Sequence, residues 1–418
     1  MTNKFDKTIT EIPKGWTETI LGEVAEPISE THEFVGKDRI VFINTGDILA
    51  GKFLHKNYSM VNTLPGQAKK MIARNNILFS EIRPINKRYA FVDFDGTADY
   101  VVSTKLMVIK AKKNILPTYL YRVLISKDTL KDFQHIAESR SGTFPQITFD
   151  SIRHYPVILP TSEEQSSIAK IFSDLDEKIE LNHQIDKTLE AIAQAIFKRW
   201  FVDFEFPGYE KTKFFNGLPE KWRKGMFGEL AKIQPGFAFK STDFISGGYK
   251  VIKIANIQNE IVDFNKSDHV SNTVFQSIDK KFYLVSGDVV IAMTGAEIGK
   301  IGIIPKNDKI MLLNQRVGKL VSDYYQWAYQ VLKGAEIQGL IDGISSASSA
   351  QPNISNSDIE KTEVIIPDEQ TLEHFCQIID SFFHHLISNL GENQILSQIR
   401  DSLLPRLMSG KIRVKAEA

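Results

Sequence analysis

Along residues 163–201 apolar side chains return at heptad spacing. A template on 168, 171, 175, 178, 182, 185, 189, 192, 196 and 199 finds seven apolar residues in ten. Moved forward by 207 onto 369–409, it meets Phe375, Ile378, Phe382, His385, Asn389, Glu392, Leu396, Ile399, Leu403 and Arg406, six apolar in ten. Both stretches are predicted as long helices, each with a seam that only another helix can bury. The economical partner is the other copy, so an antiparallel pair within the chain is expected. Three polar breaks coincide: Lys178 with His385, Asn182 with Asn389, and Arg199 with Arg406. Asn182 and Asn389 fall near the helix midpoints, where they would meet and fix the register of the pair; the alternative is that both face water. Gly391 and Pro405 are expected to loosen or kink the second helix locally. At ~1.5 Å per residue each helix would span roughly 58 Å, a stiff rod.

Ahead of each helix the pattern changes to short β-rich runs separated by polar loops, and it does so twice. "SGTFPQITFDSIRHYPVILPTSEEQ" (141–165) aligns with "SSAQPNISNSDIEKTEVIIPDEQ" (348–370), matching Pro145 with Pro352, Ile147 with Ile354 and Pro160 with Pro367. "IPKGWTETILGEVAE" (12–26) aligns with "LPEKWRKGMFGELAK" (218–232), matching Trp16 with Trp222. A looser echo joins 73–96 to 284–308, each a β-rich run, a polar loop and a second β-rich run. The fold class expected is therefore mixed α/β modules in two copies, plus two long helices forming an intramolecular antiparallel coiled coil, with pseudo-twofold character. The boundaries expected are a first module at 1–160, a first helix region at 161–206, a second module at 207–367 and a second helix region at 368–418.

Composition narrows the class. The 418 residues are 42% hydrophobic and 24% charged, ordinary for a soluble globular protein. No apolar run approaches the ~18 residues of a membrane span, and "MTNKFDKTIT" lacks a signal-peptide apolar region, so a cytoplasmic protein is expected. The single cysteine, Cys376, excludes an internal disulfide and a cysteine-based zinc site. Lys+Arg and Asp+Glu both total 51, which by itself argues mildly against nucleic acid.

Catalytic motifs do not emerge. "TGAEIGKIG" (294–302) resembles a phosphate loop, but its glycines are one residue too close and Ile301 stands where Ser or Thr would hold magnesium. G-x-G-x-x-G, N-P-P-[FY], D-P-P-Y and H-E-x-x-H are all missing. Asp203, Glu205 and Lys211 have poor spacing for a nuclease. The aromatic run at 197–222 reads as a connector pinned to the helices or to a partner rather than as a base-stacking surface.

Two modules opened by "PKGW" and "PEKW" phrases, with long helices ending in "AIAQAIFKRWFVDFEFP" (191–207) and "LLPRLMSGKI" (403–412), are similar to the specificity subunits of type I restriction-modification systems. The similarity spans about 11–412. It implies a non-catalytic chain in which two target recognition domains each read one half of a bipartite, asymmetric site on double-stranded DNA. The helices would set the unread spacer and dock two methyltransferase subunits and, through them, restriction/translocase subunits. No cofactor would bind this chain; S-adenosylmethionine, ATP and Mg would belong to the partners. Local charge then nominates readers. In the first module these are Arg83, Lys87 and Arg88 in a polar loop and Arg140, Ser141 and Thr143 beside the flexible Gly142; in the second, Phe239, Lys240 and Ser241 in "GFAFKST", then Thr294, Glu297, Ser348 and Gln351. Solvated loops are the plain alternative. Rival functions are a coiled-coil adaptor that binds only protein and a self-contained methyltransferase or nuclease.

Overall fold

The computed structural model describes residues 12–140, 143–347 and 352–414. By compactness the chain divides into a first unit of residues up to 176 together with those from 398 onward, and a second unit of 177–397. Each unit thus includes a stretch of both long helices, Ser162–Phe201 and Glu369–Met408.

In the first unit, strands Tyr58–Met60, Arg39–Ile43, Tyr100–Ser103 and Ala68–Met71 form one sheet, and Ala25–Ile28, Leu106–Ala111, Ile77–Ser80 and Tyr89–Phe91 form another. The turn at 104–105 carries the chain from the first sheet into the second. Arg39–Ile43 and Tyr100–Ser103 run parallel. In the second unit Tyr249–Ile252 and Met311–Leu313 also pair in parallel, and Met311–Leu313 is followed by Val317–Ser322 in the neighbouring sheet. Strands such as Ile77–Ser80 and Val289–Ala292 are buried at every position. Continuous apolar runs of this kind are what a strand covered on both faces requires.

A small additional sheet joins module to helix in both copies. Thr17–Ile20 pairs antiparallel with Pro156–Leu159, and Arg223–Met226 with Glu363–Ile366. Beside it the Trp16 indole donates to Glu164 at 2.7 Å, and the Trp222 indole to Asp368 at 2.9 Å. Both carboxylates lie at the start of a long helix, where negative charge is favoured. Burial acts to raise the Glu164 carboxyl, but hydrogen bonds from Arg413 and Trp16 outweigh it and hold the group below the ordinary glutamate value. The aromatic connector packs inward: Phe201, Phe204 and Phe206 have ring centroids 5.7, 5.7 and 5.0 Å from Trp222.

The helices pair antiparallel. Within the second unit Asn182 is fully buried, its amide donating to Glu392 at 2.8 Å and to Asn393 at 2.9 Å, while Asn389 donates to Asp186 at 2.7 Å. Asn182 and Asn389 therefore do not bond each other. The pairs 182–393 and 186–389 straddle positions 184 and 391, two residues beyond the asparagines, so each meets the residue four positions past its counterpart. Within the first unit Arg400 donates to Asp176 at 2.9 Å in the same sense. The second helix runs unbroken through Gly391 and Pro405. Gly391 serves a close approach: a Cβ there would lie 2.6 Å from the Lys306 carbonyl oxygen, and the Lys306 N–H donates to the Ile387 carbonyl at 3.1 Å. Pro405 falls in the last turn, where little helix remains to be broken.

Candidate nucleic-acid interface

In the first unit the hairpin Ile77–Ser80/Tyr89–Phe91 holds the basic loop 81–88. Its tip is the short turn Pro84–Asn86, flanked by Arg83 at φ 42° and Lys87 at φ 57°. Left-handed backbone at side-chain-bearing residues costs of order 1–3 kcal/mol each and persists where the surroundings enforce it. Here the enforcement is visible. The Ile147 N–H donates to Glu81 O at 2.8 Å and the Arg83 N–H to Pro145 O at 3.1 Å, lacing this loop to the 143–147 segment. Arg83, Lys87 and Thr143 are exposed and share this edge. Arg88 is turned to another use, its guanidinium donating to the carbonyls of Gly46 at 2.9 Å and Ile48 at 3.0 Å. Arg140 ends the helix Lys127–Arg140. Ser141, like Gly142, lies outside the described residues.

The second unit repeats the lacing with different side chains. The hairpin Val289–Ala292/Ile301–Ile303 carries loop 293–300. The Ile354 N–H donates to Met293 O at 3.0 Å, the Gly295 N–H to Pro352 O at 2.9 Å, and the Thr294 hydroxyl to the same Pro352 oxygen at 3.1 Å. Glu297 pairs with Lys300 on its own loop. Ser348 and Gln351 lie outside the described residues. Phe239 is half-buried, its ring 5.0 Å from Phe237 and 5.8 Å from Phe244, while Lys240 and Ser241 are exposed beside it.

A third strand of the lacing escaped sequence reasoning. In the first unit the Glu81 N–H donates to Lys105 O at 3.0 Å; in the second the Met293 N–H donates to Arg316 O, also at 3.0 Å. Lys105 and Arg316 thus hold equivalent places, in the turn before the strands Leu106–Ala111 and Val317–Ser322. The signal in sequence is a cation preceding an apolar strand, "STKLMV" (103–108) and "NQRVGK" (314–319), but their offset of 211 departs from the 207 of the module ends. Under the first turn, Lys70 donates to the Thr104 and Leu106 carbonyls at 2.9 and 2.8 Å, and burial lowers its pKa. In the second unit the lacing continues, the Gln315 N–H donating to Phe237 O at 2.9 Å. Loops near 240, 295, 315 and 353 therefore form one contiguous edge. It borders a concavity of about 430 Å³ lined by Phe239, Ser241, Phe244, Lys253, Gln315 and Arg316.

Among the described residues no His/Cys/Asp/Glu group could hold a metal ion, and no helix is long and apolar enough to cross a membrane. Cys376 is half-buried, and burial pushes its thiol pKa up, away from reactivity.

The model of the type I restriction modification DNA specificity domain matches the chain twice, at residues 13–191 and 219–400. The specificity subunit of the type I restriction enzyme HindI from Haemophilus influenzae is 34% identical, covering 95% of this chain and 99% of that protein. The MjaIX specificity subunit of Methanocaldococcus jannaschii is 23% identical over 99% of this chain and 97% of its own length. Among solved structures, the S subunit of the type I restriction-modification system from M. genitalium superposes with a TM-score of 0.59 at 14% identity, covering 97% of this chain and 99% of that one.

Proposed function

Because this chain belongs to the type I restriction modification DNA specificity family, as a non-catalytic specificity subunit, we propose that each unit reads one half of a bipartite, asymmetric site on double-stranded DNA. The observation that carries this reading is the shared lacing of loops in the two units. One backbone scaffold presents two unlike sets of side chains: Arg83, Lys87 and Thr143 in one, and Lys240 and Ser241, on a loop laced to the same edge, in the other. A common scaffold with unlike contacts is what two different half-sites require, since phosphate contacts position and base contacts specify. The helix pair sets the unread spacer and docks two methyltransferase subunits, with the restriction subunits joining through them. In support, Leu181, Ile185 and Ile192 are 52%, 39% and 41% exposed and share one stripe of the first long helix; positions 185 and 192, which the heptad template assigned to the seam, lie outside it, and Asp186 and Ala193 are buried instead. S-adenosylmethionine, ATP and Mg are the partners' cofactors, and the complex works in the cytoplasm, on DNA.

Base-resolution mapping of methylated adenines in cells with and without this gene tests the reading. Loss of one split motif is the expected result. An unchanged pattern in a host whose methyltransferase subunits are active would refute it.

A further inference from the structure

The concavity of the second unit has two unlike walls. On one, Phe239 and Phe244 stand together, with the Lys253 ammonium 3.8 Å from the Phe244 ring centroid and neutralised by Asp268. On the other is the turn 314–316. Gln315 and Arg316 are exposed there, and among the described residues neither side chain has a hydrogen-bond or ion-pair partner. The first unit differs at this point. Its equivalent cation, Lys105, sits 3.9 Å from Glu81, where the second unit has the uncharged Met293. The turn is also held rigidly. A Cβ on Gly236 would lie 2.1 Å from the Asn314 carbonyl oxygen, so only glycine lets the 236–244 loop lie against it.

An unpaired guanidinium beside an unpaired carboxamide, both on a turn whose backbone is held at the rim of a concavity, matches the double acceptor that guanine presents in the major groove through N7 and O6. We propose that Arg316, with Gln315 beside it, is a specificity-determining residue of the second unit and pairs bidentately with a guanine in the half-site that this unit reads. The inference rests on the reading of the chain as a two-half-site DNA subunit and adds which base is read, by which side chain.

The test uses the whole chain co-expressed with its methyltransferase subunits in a host free of the native system, with methylated motifs mapped for wild type, Arg316→Ala and Arg316→Lys. Arg316→Ala should relax one G·C position of one half-site, leaving the other half-site and the spacing intact, and Arg316→Lys, whose ammonium can still donate to guanine O6 or N7 but without the fork, should keep that preference in weakened form. Arg316→Ala should also slow methylation of the original site by roughly ten- to a hundredfold. Arg316→Lys is the decisive variant, because lysine retains the charge but not the fork. If Ala weakens methylation equally at every sequence and Lys restores it, Arg316 holds a phosphate and the proposal is wrong. It is equally wrong if the motif is untouched or relaxes only at A·T positions. A wild-type complex that reads no split motif brings down the function proposed above together with this inference; a split motif indifferent to Arg316 brings down this inference alone.

Discussion

A carboxylate in a helix seam is comfortable only when its charge is met on all sides, and Asp186 is met on one. Its Oδ1 accepts from Asn389 at 2.7 Å, while its buried Oδ2 has no hydrogen-bond partner. Burial raises its pKa to about 6, against the lowering effect of the Asn389 hydrogen bond and with a further push from Glu190. The folded state therefore holds this proton more tightly than the unfolded chain does, where the value is 3.8. By linkage, the contribution of Asp186 to stability is greatest below pH ~4 and declines as pH rises through about 6. Asp186→Asn keeps an acceptor for Asn389 and removes the charge. We expect it to stabilise the protein at pH 8 by on the order of 1–2 kcal/mol, with the gain vanishing near pH 4. Denaturant melts at the two pH values check this, and an equal gap at both would show that the charge is not the cause. Sequence alone marked Asn182 and Asn389 as seam residues because a heptad count is local. That Asn182 meets Asn393, and that Asp186 is buried with them, depends on how far one helix slides along the other.

At the scale of elements, Gly391 separates two opposing effects. Glycine inside a helix costs about 1 kcal/mol relative to alanine, so propensity alone favours Gly391→Ala. The new Cβ, however, would stand 2.6 Å from the Lys306 carbonyl oxygen and 2.8 Å from its Cβ, and overpacking of this kind typically costs 1–3 kcal/mol. The steric term should win, so Gly391→Ala should lower the thermal midpoint; a rise would mean that the Lys306 backbone is free to retreat. The helices themselves were legible because their heptad period is written along the chain. The hairpins were legible as β-run, loop, β-run. Their lacing was not, since it joins Glu81 to Lys105 and Ile147, and Met293 to Arg316 and Ile354, through backbone groups that carry no residue signature. Hence Arg83, Lys87 and Thr294 could be nominated from composition, Arg88 could not be told from them, and Arg316 was passed over.

For the whole molecule, the proposed spacer role has a direct consequence. Seven residues inserted after 176 and after 397 preserve the heptad seam in both helices and add roughly 10 Å, about three base pairs of DNA. The methylated motif should keep both half-sites and widen the gap between them. A change in the bases read, with the gap unaltered, would refute the role. Net charge was a weak guide at this scale. Equal totals of 51 argued against nucleic acid, yet the family is one of DNA specificity subunits. The sequence by itself determined that the chain is a repeat of two mixed α/β modules, each followed by a long helix, because periodicity, turn residues and repeated phrases act over short spans. Only the tertiary structure decided which loops share an edge, which cations are already engaged, and where the helix seam crosses. Those outcomes depend on backbone bonds and steric fit between residues up to a few hundred positions apart. Arg88 and Arg316 look alike in the chain; one is spent on two carbonyls, and the other, at the rim, has no side-chain partner among the described residues.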